Sequence, residues 1–134
     1  MSSLFDKTTD ALATSIKMRQ IRHNVTSANI ANAETPNYHA KKVEFEEALS
    51  RALDIDGKGA LSTSSAEHYS VGGNPAVEPG IYENPDIAVS NDGNTVDMEK
   101  EMSALQENSI LYKSALQLIN KKMASLKYAI SETK

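Results

Sequence analysis

From Met98, steps of four and three residues alternate through Met102, Leu105, Ser109, Tyr112, Leu116, Ile119, Met123, Leu126 and Ile130, and nine of these ten side chains are apolar or aromatic. A repeat of 3.5 residues sustained this long is the seam of a coiled coil. Neither proline nor glycine interrupts residues 95–130, and Lys, Glu, Gln, Ala and Leu fill much of the remainder, so intrinsic propensity and periodicity agree on one helix. Asn94 or Thr95 is placed to cap it. Asp97, Glu99 and Glu101 crowd its positive first turns, and Lys121, Lys122 and Lys127 lie toward its negative end. At a rise of 1.5 Å per residue the rod is roughly 55 Å long. A stripe of that length needs another helix to cover it.

Residues 3–33 supply one. They also lack proline and glycine, and their apolar residues recur at helical spacing, but in two stripes. Ala11, Met18, Ile21, Val25 and Ala28 share one side, while Phe5, Leu12, Ile16 and Ile30 gather roughly opposite. A helix that is apolar on two sides has two neighbours. The C-terminal helix is the first, and the second is either another molecule or the middle of the chain folded back. The helix runs into Ala28-Asn29-Ile30-Ala31-Asn32-Ala33-Glu34-Thr35-Pro36-Asn37-Tyr38, where Pro36 disfavours helical geometry at Thr35 and Asn37 suits a left-handed turn position. The small alanines admit a close backbone, and Asn29 and Asn32 are placed to hydrogen-bond main-chain groups there.

Between the helices the composition changes. Phe45, Leu49 and Leu53 mark a short amphipathic helix over residues 43–53. All six glycines and three of the four prolines then fall in residues 57–93, a long irregular region with short strands expected around His68–Val71 and Ile87–Val89. The net charge of −4 is concentrated in residues 45–93, which carry nine acidic and two basic groups. An acidic centre between nearly neutral helices argues against nucleic acid, which rewards clustered Lys and Arg. The first twenty residues lack a basic start followed by an apolar run, and no stretch is apolar enough to enter a membrane. The absence of cysteine excludes disulfides and thiolate metal sites.

The run ANIANAETPNYHAKKVEF closely resembles the N-terminal signature of bacterial flagellar axial proteins, the rod and hook subunits, in which ANNIAN precedes TPGY and a basic residue. Asn37 stands where that family usually carries glycine, and His39 where it carries Lys or Arg. Asparagine tolerates the left-handed turn next best, so the first departure preserves the geometry. The second puts an electrostatic role at position 39 in doubt. The C-terminal run, with Asp92-Gly93-Asn94-Thr95-Val96-Asp97 at its entry and Glu107, Asn108 and Tyr112 beyond, resembles the proximal rod members of the same family. Together the two signatures cover about 60 of the 134 residues.

Nothing in the chain has the pattern of an enzyme. His23, His39 and His68 fall in three different elements with no ligand spacing, so no metal or cofactor is expected. The acidic stretch 86–97 has Ala88 and Ser90 where a calcium loop needs an alternating series of oxygen ligands. No nucleophile elbow or Ser-x-x-Lys motif with supporting residues occurs.

The expected fold is mainly α: two long terminal helices packed as an antiparallel coiled coil, joined by a long irregular Gly/Pro-rich middle with a short helix and short strands. Its parts are residues 1–44, the N-terminal axial helix with its ANIAN and TPNY turn; residues 45–93, the irregular acidic middle; and residues 94–134, the C-terminal helix. The expected assembly interface comprises Met18, Ile21, Val25, Asn29, Asn32, Thr35, Pro36 and Tyr38, with Met102, Leu105, Tyr112, Leu116, Ile119 and Met123. The resemblance implies a structural subunit of a proximal rod that crosses the periplasm and transmits torque. It also implies contacts with other rod subunits and basal-body base proteins, a helical hetero-oligomer without membrane insertion, and passage through the flagellar type III export apparatus without a cleaved signal. The competing class is a cytoplasmic coiled-coil adaptor or secretion chaperone. Such a protein would show the same seam but has no evident use for the ANIAN and TPNY segment.

Overall fold

In the computed structural model the described residues are 7–53, 79–85 and 89–133. Helix α1 spans Lys7–Ala31, strand β1 Lys41–Val43, helix α2 Phe45–Leu53, strand β2 Ile81–Glu83 and helix α3 Met98–Glu132. The protein is mainly helical, and its two long helices pack together. They run in opposite directions: Asn29 bonds to Glu101, whereas Asn108 bonds to the carbonyl of Arg19. Residues 1–6, including Phe5 of the second expected stripe, lie outside the described residues, as does the expected strand at 68–71.

Helix α1 ends where Pro36 and the left-handed Asn37 forbid continuation, and its last carbonyls are taken up locally. The Asn32 backbone N–H donates to the Ala28 carbonyl at 3.1 Å, and the Asn32 side-chain amide donates to the same oxygen at 2.8 Å. The chain then turns into β1, which pairs antiparallel with β2 in the register Lys41↔Glu83, Lys42↔Tyr82 and Val43↔Ile81. Two flanking bonds, Glu44 N–H to the Gly80 carbonyl and Asn84 N–H to the Ala40 carbonyl, both at 2.9 Å, lengthen this ribbon. Of the second expected strand, residues 87 and 88 lie outside the described residues, and Val89 is irregular.

The middle of the chain does fold back on α1, and it lands on the first stripe. Met18, Phe45 and Ala48 form a buried cluster, with Leu49 packed against it. Met18, a member of the first stripe and of the expected assembly interface, therefore sits under α2, because β1 ends two residues before Phe45 and holds α2 close to α1. The guanidinium groups of Arg19 and Arg22 lie 4.8 and 4.4 Å from the centroid of the Phe45 ring and cover this small core with cation–π contacts.

Helix α3 departs from expectation at its start and in its rotation. Its cap is Asp97, whose carboxylate accepts from the Lys100 N–H at 3.2 Å; Asn94 and Thr95 are buried and engaged elsewhere. The row turned inward is Glu101, Leu105, Asn108, Tyr112, Ala115, Ile119, Lys122 and Leu126, all buried or partly buried. Of the ten expected seam residues, Leu105, Ser109, Tyr112, Leu116, Ile119, Met123 and Leu126 are partly buried. The deepest burial falls one residue earlier than expected, at Asn108 and Ala115 rather than Ser109 and Leu116, so the helix is turned by part of the roughly 100° that separates successive residues. Met98, Met102 and Ile130 are consequently exposed.

Candidate assembly surface

The two signature segments meet at one end of the helix pair, and asparagines join them. Asn29 is 1% exposed and acts as a surrogate strand residue. Its amide donates to the Lys41 carbonyl at 2.8 Å while its carbonyl accepts from the Lys41 N–H at 2.9 Å. The same side chain accepts from the Tyr38 hydroxyl and donates to the Glu101 carboxylate, both at 3.1 Å. One amide thus ties α1, the turn, β1 and α3 together.

A second asparagine closes the turn from the other side. The Asn94 amide donates to the carbonyls of Asn32 and Thr35, each at 2.8 Å, and its own carbonyl accepts from the Val96 N–H. Beside it, the Ala40 N–H donates to the Thr95 hydroxyl at 2.8 Å, and the Thr95 N–H donates to the Tyr38 carbonyl at 3.0 Å. Asn37 adopts φ 59° and donates its N–H to the Asp92 carbonyl at 3.0 Å. Gly93, at φ 78°, presses its backbone against the Asn37 side chain so closely that a Cβ there would collide with Asn37 Oδ1. These bonds form a polar clasp between residues 29–41 and 92–101.

The clasp gathers Asn29, Asn32, Thr35 and Tyr38 of the expected interface. Thr35 and Pro36 are exposed; Ile21 and Val25 on α1 are partly buried. On α3, Leu105, Tyr112, Leu116, Ile119 and Met123 are partly buried, and Met102 is exposed. His39, the doubtful position, lies 3.5 Å from Glu83 across the ribbon, with both side chains exposed.

Several residues of this surface were not foreseen. Asn94, Thr95, Glu101 and Asn108 are clasp or contact residues, and Ile110, Leu111, Leu118 and Tyr128 are exposed apolar side chains on α3. The heptad spacing of Ala104, Leu111 and Leu118 is a second apolar stripe that was legible beside the first. A cleft of about 280 Å³ runs along the contact of α1 with α3 and is lined by both signs of charge, among them Arg19, Arg22, Glu101 and Glu107. Burial, and then the neighbouring Arg22, hold the Arg19 pKa below its ordinary value, opposed by Glu107 and Glu46. Among the described residues no three His, Cys, Asp or Glu side chains converge as metal ligands. No described helix is long and apolar enough to cross a membrane.

Residues 13–39, most of α1 and the turn that enters the clasp, match a family model described as "Flagella basal body rod protein". Along most of its length the chain is similar to proteins named flagellar basal body rod protein FlgB. That of Cereibacter sphaeroides is 38% identical over 118 residues, covering 88% of this chain and 89% of the relative. The Aeromonas hydrophila protein is 36% identical over 132 residues, with 97% of each chain covered. The Bacillus subtilis protein is 32% identical, with 96% of this chain and 97% of the relative covered.

Proposed function

Because the chain belongs to the FlgB family of flagellar basal body rod proteins, a family of structural subunits rather than enzymes, we propose that it builds the proximal rod through the exposed faces of its two long helices. The observation that carries this reading is the apolar surface of α3. Met98, Met102, Ile110, Leu111, Leu118, Tyr128 and Ile130 are between 38% and 65% exposed, seven large side chains on one helix. Apolar surface concentrated in this way marks a face that other protein covers. The residues point to more than one side of the rod, which suits a subunit with several neighbours. Head-to-tail contacts that do not close into a ring generate a helical tube.

In this reading residues 1–44 and 94–134 form the axial wall, with the helices of adjacent subunits interleaved as coiled coils. Helix α2 and the β ribbon rest on its flank. Ile21, Val25, Leu116 and Met123 complete the contacts between subunits together with the seven exposed residues, while the clasp fixes the angle at which each subunit presents them. The assembled rod crosses the periplasm, joins base proteins on one side and further rod subunits on the other, and passes torque outward. The flagellar export apparatus delivers the subunit.

The test is complementation of a strain lacking this protein with the double variant Met102→Asp/Leu118→Asp. Both positions are exposed, so the isolated variant should keep its helix content by circular dichroism. It should be missing from detergent-extracted basal bodies, and the cells should not swim. Normal incorporation and swimming would contradict the assignment. Accumulation of the unaltered protein in the soluble fraction, away from basal bodies, would favour the adaptor class instead.

A further inference from the structure

Helix α3 turns its less apolar row inward. Apolarity alone puts Ser109 and Leu116 at the centre of the contact, yet these are only partly buried, and Asn108 and Ala115 are the two buried residues of the whole helix. The burial term therefore opposes the observed rotation, and something else must set it. Asn108 is 3% exposed, and its amide donates to the Arg19 carbonyl at 2.8 Å, a bond between residues 89 apart. Seven residues earlier, Glu101 receives the amide of Asn29. Ala115, seven residues later, has the smallest side chain in that row and lets the backbones approach. The Asn108 side-chain carbonyl has no hydrogen-bond partner although it is buried, so the residue leaves its acceptor unsatisfied in this position. An amide held at such cost in a helix seam characteristically fixes alignment at the expense of stability.

We infer that Asn108 is the positioning residue that sets the register and rotation of α3 on α1, and that it does so to keep Met102, with the uncovered edges of the partly buried Leu116 and Met123, available for neighbouring subunits. The second half rests on the function proposed above; the first does not. The chain has no cysteine, so single cysteines report local burial cleanly. In the full-length chain, Met102→Cys and Ala115→Cys are each labelled with N-ethylmaleimide, alone and combined with Asn108→Leu. In the otherwise unaltered chain position 102 should react at least about tenfold faster than position 115, since exposure governs the rate. With Asn108→Leu that ratio should fall at least about threefold as the helix turns its more apolar row inward, and the urea midpoint should rise rather than fall. Asn108→Ala, which removes the amide without adding apolar surface, should lower the ratio as well while retaining helix content.

An unchanged ratio in both Asn108 variants would overturn the inference. Equal rates at positions 102 and 115 in the unaltered background would overturn it too, because the helices would then not hold this alignment. A changed ratio with basal bodies still built normally would sustain Asn108 as the alignment residue and count instead against the use of that row in the rod.

Discussion

Gly93 and Asn37 each hold a left-handed backbone, and each occupies the space the other leaves. Gly93→Ala adds a Cβ at positive φ and pushes it into the Asn37 amide, so it should cost about 1–2 kcal/mol in urea denaturation. Asn37→Gly empties that space, and Gly93→Ala should therefore cost less in the Asn37→Gly background, a coupling that a double-mutant cycle reads directly. At Tyr38, burial and then the Glu101 carboxylate hold the phenol pKa above its ordinary value of 10.0. The folded chain keeps a proton that the unfolded chain releases first. Its contribution to stability is whole below pH 10 and is lost as pH rises through the folded value. Tyr38→Phe should cost about 1 kcal/mol at pH 8 through the lost bond to Asn29, and should flatten the fall in stability between pH 8 and 11 in paired urea titrations. The sequence allowed the asparagines to be read as main-chain partners and Asn37 as left-handed, because those properties are local. Thr95 looked like a helix cap for the same reason, but its partner, Ala40, is 55 residues away, beyond the reach of any local rule.

Both long helices and α2 were legible as elements, since uninterrupted helical periodicity survives tertiary packing. The rotation of α3 was not. A seam read from apolarity ranks Leu116 above Ala115 and Ser109 above Asn108, whereas packing rewards a small residue at close approach and a bonded amide in the interior. Ala115 is 7% exposed at this contact, so Ala115→Leu should wedge the helices apart and lower stability by about 1–3 kcal/mol, measured as a reduced urea midpoint. The β ribbon escaped the reading because its strands have three residues each, Lys-Lys-Val and Ile-Tyr-Glu, too short for alternation to register. What fixes the ribbon is Asn29 on one edge of β1 and the pairing with β2 on the other.

Taken as a whole, the molecule is asymmetric from end to end. The clasp and the α2 core occupy one region. In the register set by Arg19 opposite Asn108, Lys7 reaches only the level of about residue 120 on α3, and the helix continues to Glu132. Tyr128 and Ile130, 65% and 59% exposed, lie in that extension. Deleting residues 127–134 should therefore change the unfolding free energy by less than about 1 kcal/mol, yet the shortened chain should be lost from purified basal bodies on immunoblots. Exposed apolar surface with little role in the subunit's own stability is the physical signature of a part completed by its neighbours.

The placement of the clasp also orders events in time. Asn29, Tyr38 and Lys41 belong to the first third of the chain, whereas Asn94, Thr95 and Glu101 belong to the last. When such a polypeptide is synthesised, or threaded head first through a narrow conduit, its leading helix can meet α2 but lacks its bonds to Asn94 and Glu101 until the trailing segment emerges. A chain cut short before residue 92 never obtains the bonds from Asn94, Thr95 and Glu101 that close the clasp.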